Sequence, residues 1–123
     1  MGYRSNVTAI FYAEEKDWPV IKLWLDENRP DSIIHEEDFK GYQRGNLRGY
    51  YVEYDDVKWY DTYPNMQDFN SYVSNYIVLF CDESKTSAAY EFVRIGENYE
   101  DIEVQREGEY PYVLEVERKV VIN

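Results

Sequence analysis

Two stretches of this chain repeat their apolar residues at helical spacing, and the segments around them alternate at strand spacing. Val20, Ile21, Trp24 and Leu25 make the first stripe; Met66, Phe69, Val73, Tyr76, Ile77 and Phe80 make the second. A helix with one apolar stripe must bury it against another layer. The segment "NVTAIFYA", residues 6–13, is rich in β-branched and aromatic side chains and predicts a strand ahead of the first helix. Asp17 is placed to cap that helix, Pro19 falls in its first turn, and Asn28 and Pro30 end it.

Residues 31–48 predict irregular backbone, with a short strand at 32–35 and punctuation by Gly41, Gly45 and Gly49. A strand follows at residues 49–54. Tyr50, Val52 and Tyr54 point to its core face, and Tyr51 and Glu53 to the opposite one. Asp55 and Asp56 mark a turn or bulge, and Asn65 is placed to cap the second helix. The segments "AAYEFVRIG", "IEVQRE" and "YVLEVERKVVI" predict three final strands in an antiparallel meander, whose alternation sends one sheet face to water or a partner. The order β-α-β-α-β-β-β implies an α+β fold. We expect one domain over residues 1–123, a mainly antiparallel sheet of four to five strands, and two helices on one face.

Charge narrows the partners. The chain carries 25 acidic against 13 basic residues, a formal net charge of −12. Nucleic-acid affinity comes mainly from neutralising phosphates with Lys and Arg, so direct nucleic-acid binding is not expected. A basic protein surface is the complementary partner. The 14 tyrosines suit half-buried sheets and wet interfaces. No apolar run approaches membrane-spanning length and "MGYRSNV" has no signal-peptide core, so the expectation is a soluble, cytoplasmic protein without a membrane partner.

Three motifs, "MGYRS", "DVKWYDTYP" and "EFVRIGENYEDIE", resemble a family of small bacteriophage and prophage proteins. The resemblance covers about a quarter of the chain. It implies an accessory protein acting in the cytoplasm of a bacterial host, and carries no established activity with it. By analogy, such proteins bind and disable host factors, including defence complexes.

No catalytic signature is present. One His and one Cys cannot build a zinc site of several thiolates and imidazoles within one chain, "HEED" offers His35 and carboxylates but no second His, "GENYED" lacks the spacing of a dinucleotide turn, and neither metal nor cofactor is expected. Cys81 reads as a packing residue, His35 as part of a solvated loop, and Trp59 as a packing anchor. Arg94 is expected either to pair with a carboxylate such as Asp56 or Glu97, which would make it structural, or to contact a ligand.

The acids are unevenly spread. Residues 14–38 hold nine acids and three bases, and residues 97–109 six acids and one base. If these stretches converge, they imitate a phosphate backbone. The expected function is therefore non-enzymatic: binding, and inhibiting, a host protein with a basic surface. The expected contacts are Glu36, Glu37, Asp38, Asp55, Asp56, Glu97, Glu100, Asp101 and Glu103, with Tyr51 and Tyr99 as aromatic anchors. The alternative is a small-ligand binder that sequesters a phosphorylated nucleotide between Lys40, Arg44 and Arg48, with Tyr42 available for stacking.

Overall fold

The computed structural model describes residues 2–60, 62–82, 86–98, 100–108, 113–116 and 120–122. Its central element is β1 (Ser5–Glu14), paired antiparallel with β3 (Leu47–Val57) on one side and β4 (Ala89–Gly96) on the other. β2 (Lys40–Arg44) and β5 (Ile102–Glu107) are the edges, giving the order β2-β3-β1-β4-β5. Two helices, α1 (Trp18–Asn28) and α2 (Pro64–Tyr76), lie on one face. This is the α+β architecture that the periodicities predict.

The helix-side core is aromatic. Alternation along β1 turns Val7, Ala9, Phe11 and Ala13 toward the helices, and all four are buried. They meet Ile21 and Leu25 of α1 and Phe69, Tyr72, Val73 and Tyr76 of α2. Phe11 has the rings of Tyr76, Tyr90 and Tyr72 at 5.0, 5.1 and 5.7 Å. Tyr50, Val52 and Tyr54 of β3 do face this core. Each stripe differs by one member from the expectation. Val20 points to solvent, 69% exposed, and Trp18 takes its place against Tyr50 at 5.3 Å. On α2, Tyr72 is also buried and donates its hydroxyl to the Leu25 carbonyl at 2.6 Å.

Three local expectations are corrected. Residues 31–48 are not irregular throughout: 32–35 form no strand, whereas β2 does form and meets β3 through a two-residue turn at Gly45 and Asn46. Gly45 sits at φ +57, the left-handed conformation such a turn requires. The capping residues also differ. Asp17 occupies the N-cap position of α1, but its carboxylate instead accepts the Ser87 N–H at 2.9 Å and the Ser87 hydroxyl at 2.5 Å. The N-cap of α2 is Tyr63 rather than Asn65, with Pro64 opening the helix.

The third correction is the C-terminal strand. It breaks into β6 (Leu114–Val116) and β7 (Val120–Ile122), which pair with each other in a separate two-stranded sheet; residues 117–119 lie outside the described residues. The face opposite the helices is therefore partly covered, although Ile102 and Val104 on its β5 edge stay 40% exposed. Val113 and Leu114 are buried against Ile10, Tyr12, Ala89 and Val93 in a second core.

Glu91 ties this second layer to the sheet. It is 1% exposed, yet both oxygens are occupied. Oε2 accepts the Tyr12 hydroxyl at 2.5 Å and the Val113 N–H at 2.7 Å. Oε1 accepts the Leu114 N–H at 3.1 Å and Nε of Arg106 at 3.3 Å. A buried carboxylate satisfied in this way positions the chain that supplies its donors.

Candidate protein-binding surface

Strand ends set the geometry of the site. The start of β1, the end of β3, the end of β4 and the start of β5 lie side by side, because Ser5 pairs with both Val57 and Gly96, and Ile95 with Ile102. This pole carries Asp55, Asp56, Glu97, Glu100, Asp101 and Glu103 on neighbouring ends and turns.

At the end of β3, Asp55 and Asp56 together oppose Asn6, a β-bulge in which Asp56 takes φ +56. A short polar side chain tolerates that conformation better than most. The Asn6 side-chain oxygen holds the bulge by accepting the Asp56 N–H at 2.8 Å. Arg4 bridges the pole: its Nη1 donates to the Asp56 carbonyl at 2.9 Å, and its backbone N–H donates to Glu97 Oε1 at 3.0 Å. A hollow of about 230 Å³ lies among Arg4, Asn6, Asp56, Gly96 and Glu97.

Arg94 does pair with carboxylates, though not with the two named in the sequence. It pairs with neither Asp56 nor Glu97. Its guanidinium forms a two-pronged pair with Asp101, Nη2 to Oδ1 at 2.9 Å and Nη1 to Oδ2 at 3.1 Å. Nε reaches Glu103 Oε1 at 3.0 Å and Nη1 reaches the Ser5 hydroxyl at 3.1 Å. The Tyr3 hydroxyl donates to Asp101 at 2.6 Å and accepts the Asn98 N–H at 3.0 Å. Gly96 makes this possible, since a Cβ there would collide with the Asp101 carboxylate and the Tyr3 hydroxyl.

The Arg94 guanidinium, and then the Tyr3 hydroxyl, hold Asp101 below the ordinary aspartate range. A carboxylate with a depressed folded-state pKa adds stability above its unfolded pKa and loses it as pH falls through the folded one. The turn between β4 and β5 should therefore keep its amide protection at neutral pH. Protection should fall below about pH 3.9, the ordinary aspartate value. Arg94→Ala should flatten that dependence, as read by hydrogen exchange at Gly96 and Asp101.

Other expected site residues lie elsewhere. Glu36, Glu37 and Asp38 form a short 3₁₀ turn before β2. Asp38 is used internally, accepting the His35 N–H at 2.9 Å and the Tyr54 hydroxyl at 3.1 Å. Glu36 lines a separate groove with Lys22, Asp26, Arg29, Phe39 and Tyr50. Tyr51 faces the second core, half-buried, with Lys40 over its ring at 5.9 Å. Four strand residues, about 13 Å, separate it from Asp55. Tyr99 lies outside the described residues.

Lys40, Tyr42, Arg44 and Arg48 do not line one pocket. Strand alternation puts the first three on the second-core side of β2, whereas Arg48, opposite Gln43, points to the helix side. There it donates to the Gly45 and Leu47 carbonyls at 2.8 and 2.9 Å and pairs with Glu15 at 3.5 Å. Lys40 pairs with Glu53 at 3.7 Å.

Burial pushes the Cys81 thiol up to about 12, so it is neutral at physiological pH and packs against the helix-side core. Trp59 packs on Phe69 and Phe92, with centroids at 5.1 and 5.9 Å. Among the described residues no group of three His, Cys, Asp or Glu side chains could hold a metal ion, and no helix is long and apolar enough to cross a membrane.

Tyr3 and Tyr60 are members of the site that charge patterning missed. Tyr60 donates to the Tyr3 carbonyl at 3.1 Å, closing the contact between "MGYRS" and "DVKWYDTYP", while Tyr3 and Arg4 close the contact to "EFVRIGENYEDIE". The signal was available: the three motifs singled out in the sequence meet at this pole. Fold and surface together define an α+β domain with an arginine-braced acidic pole. Comparison with protein-family models, curated proteins and solved structures finds no match to this chain.

Proposed function

We propose that this protein is a non-enzymatic accessory protein of bacteriophage type that binds a basic surface of a bacterial host protein through its acidic pole. The reading places it in the host cytoplasm, with a defence-system component as target. It acts there as an inhibitor by occupying a groove meant for nucleic acid. The observation that carries it is the convergence of Asp55, Asp56, Glu97 and Glu100, all exposed, on one braced pole. Exposed carboxylates steer a basic partner and fix its orientation, while internal pairs with Arg4 and Arg94 keep their loops ordered before contact.

The test begins with a partner captured from host lysate and identified by mass spectrometry. The double variant Asp55→Lys/Glu100→Lys replaces exposed side chains and should leave the thermal midpoint nearly unchanged. It should weaken that complex by about tenfold or more at low salt, chiefly in the association rate. The wild-type complex should weaken as salt rises and should exclude the partner's nucleic acid. A complex indifferent to salt, to the double substitution and to bound nucleic acid would remove this reading.

A further inference from the structure

The helices leave the β5 edge of the sheet uncovered. A cleft of about 180 Å³ opens there between α2, Trp59 and the helix-facing side of β4 and β5. Phe69, Tyr90 and Phe92 close its floor and are buried, so the half-buried Trp59 is the aromatic ring it offers to a ligand. Its rim is polar, with Asn70 and Ser74 from α2 and Glu103 and Gln105 from β5. None of the described residues lining it is a cation. The volume suits one side chain rather than a drug-sized ligand, whose sites run from about 300 Å³ upward.

We propose that this cleft receives a single arginine side chain of the partner protein. The Trp59 indole attracts a cation through its ring quadrupole, more strongly than the smaller aromatic rings do. Glu103 lends one oxygen to Arg94 and keeps further lone pairs for another donor. The Gln105 and Asn70 amides and the Ser74 hydroxyl supply additional acceptors. A planar guanidinium with five donors matches stacking surface and acceptors together, which an ammonium does not. The cleft adjoins the acidic pole through Glu103, whose partner Arg94 also holds Asp101. The inference deepens the function proposed above and rests on it for the source of the arginine. The recognition chemistry itself stands on the cleft.

The experiment titrates the full chain with acetyl-Gly-Arg-Gly-amide and follows ¹H–¹⁵N shifts. The expected result is saturable binding in the millimolar range, as for one side chain in isolation. Shifts should concentrate at the Trp59 indole N–H and the amides of Asn70, Ser74 and Gln105. The matching citrulline peptide, isosteric but uncharged, should bind at least tenfold more weakly. Ser74→Arg changes an exposed helix position, should fold normally, and should abolish the shifts by filling the cleft with its own guanidinium. No saturable shift, equal shifts with citrulline, or shifts that persist in Ser74→Arg would overturn the proposal. So would shifts confined to Asn6, Gly96 and Glu97, which would instead place the arginine at the acidic pole. With the captured partner, loss of binding in Asp55→Lys/Glu100→Lys but not in Ser74→Arg sinks the cleft and leaves the acidic pole standing.

Discussion

Glu91→Ala should destabilise the protein by about 3–5 kcal/mol, the usual consequence of removing one member of a buried, hydrogen-bonded ion pair. The side chain is 1% exposed and receives four donors. Alanine strands the Val113 and Leu114 N–H groups and the Tyr12 hydroxyl, at about 1–3 kcal/mol for each buried donor that finds no new partner. Arg106 is better placed to recover, since its side chain is 28% exposed and reaches water. Hydrogen exchange should rise first at 113–116 and 120–122, before the β1–β3 ladder opens. Glu91→Gln should be intermediate. Its amide nitrogen must replace one oxygen, and either oxygen position faces two donors. At the Oε2 position the Tyr12 hydroxyl can turn to accept, but the Val113 N–H cannot. Chemical denaturation with site-resolved exchange checks both. Uniform loss of protection across β1 and β6 would show that Glu91 does not act through the hairpin.

Phe11→Ala should cost a similar 3–5 kcal/mol by a different route. Phe11 is fully buried on the central strand, and its ring lies between those of Tyr72, Tyr76 and Tyr90. Removing it loses the transfer free energy of the ring and leaves a cavity. Tyr72 and Tyr76 cannot easily close that cavity, because their hydroxyls are committed to the Leu25 and Ala89 carbonyls. A domain of this size is stable by about 5–15 kcal/mol, so either substitution removes a large share of the total. Here the loss should be global. The denaturation midpoint should fall with an unchanged slope, and both helices and sheet should lose protection together. Phe11→Leu should recover more than half of the loss.

The two substitutions mark the boundary between what was legible in the sequence and what was not. Phe11 sits in a run rich in β-branched and aromatic residues, so its place on a strand follows from local composition. Glu91 lies in "AAYEFVRIG", where a lone acid reads as solvent-facing. It is buried because a segment more than 20 residues further on folds back over it. No local pattern encodes that return. The same limit explains the C-terminal strand: its alternation suits one long strand, but a short hairpin lets Leu114 and Val113 bury on the open face.

The acidic site divides in the same way. Clusters at 36–38, 55–56 and 97–103 are plain in the sequence. Which of them share a surface depends on strand order. β1 lies between β3 and β4, so the end of β3 meets the turn after β4. The 3₁₀ turn at Glu36–Asp38 instead falls beside Tyr54 and the α1 groove. Basic residues separate by the pleat: Arg44 and Arg48 are close in sequence but on opposite faces, because a turn and an antiparallel register intervene.

The class of fold, most of the helix-side core and the acidity of the protein can all be read along the chain. Those are properties of local period and composition, which each segment carries independently. That Glu91 anchors a second layer, that Arg94 holds Asp101 and Glu103, and that Tyr3, Arg4, Asp56 and Glu97 meet emerges once the strands are assembled. Those pairings join residues far apart in the chain, and their partners are chosen by strand order and register rather than by any segment's own preference.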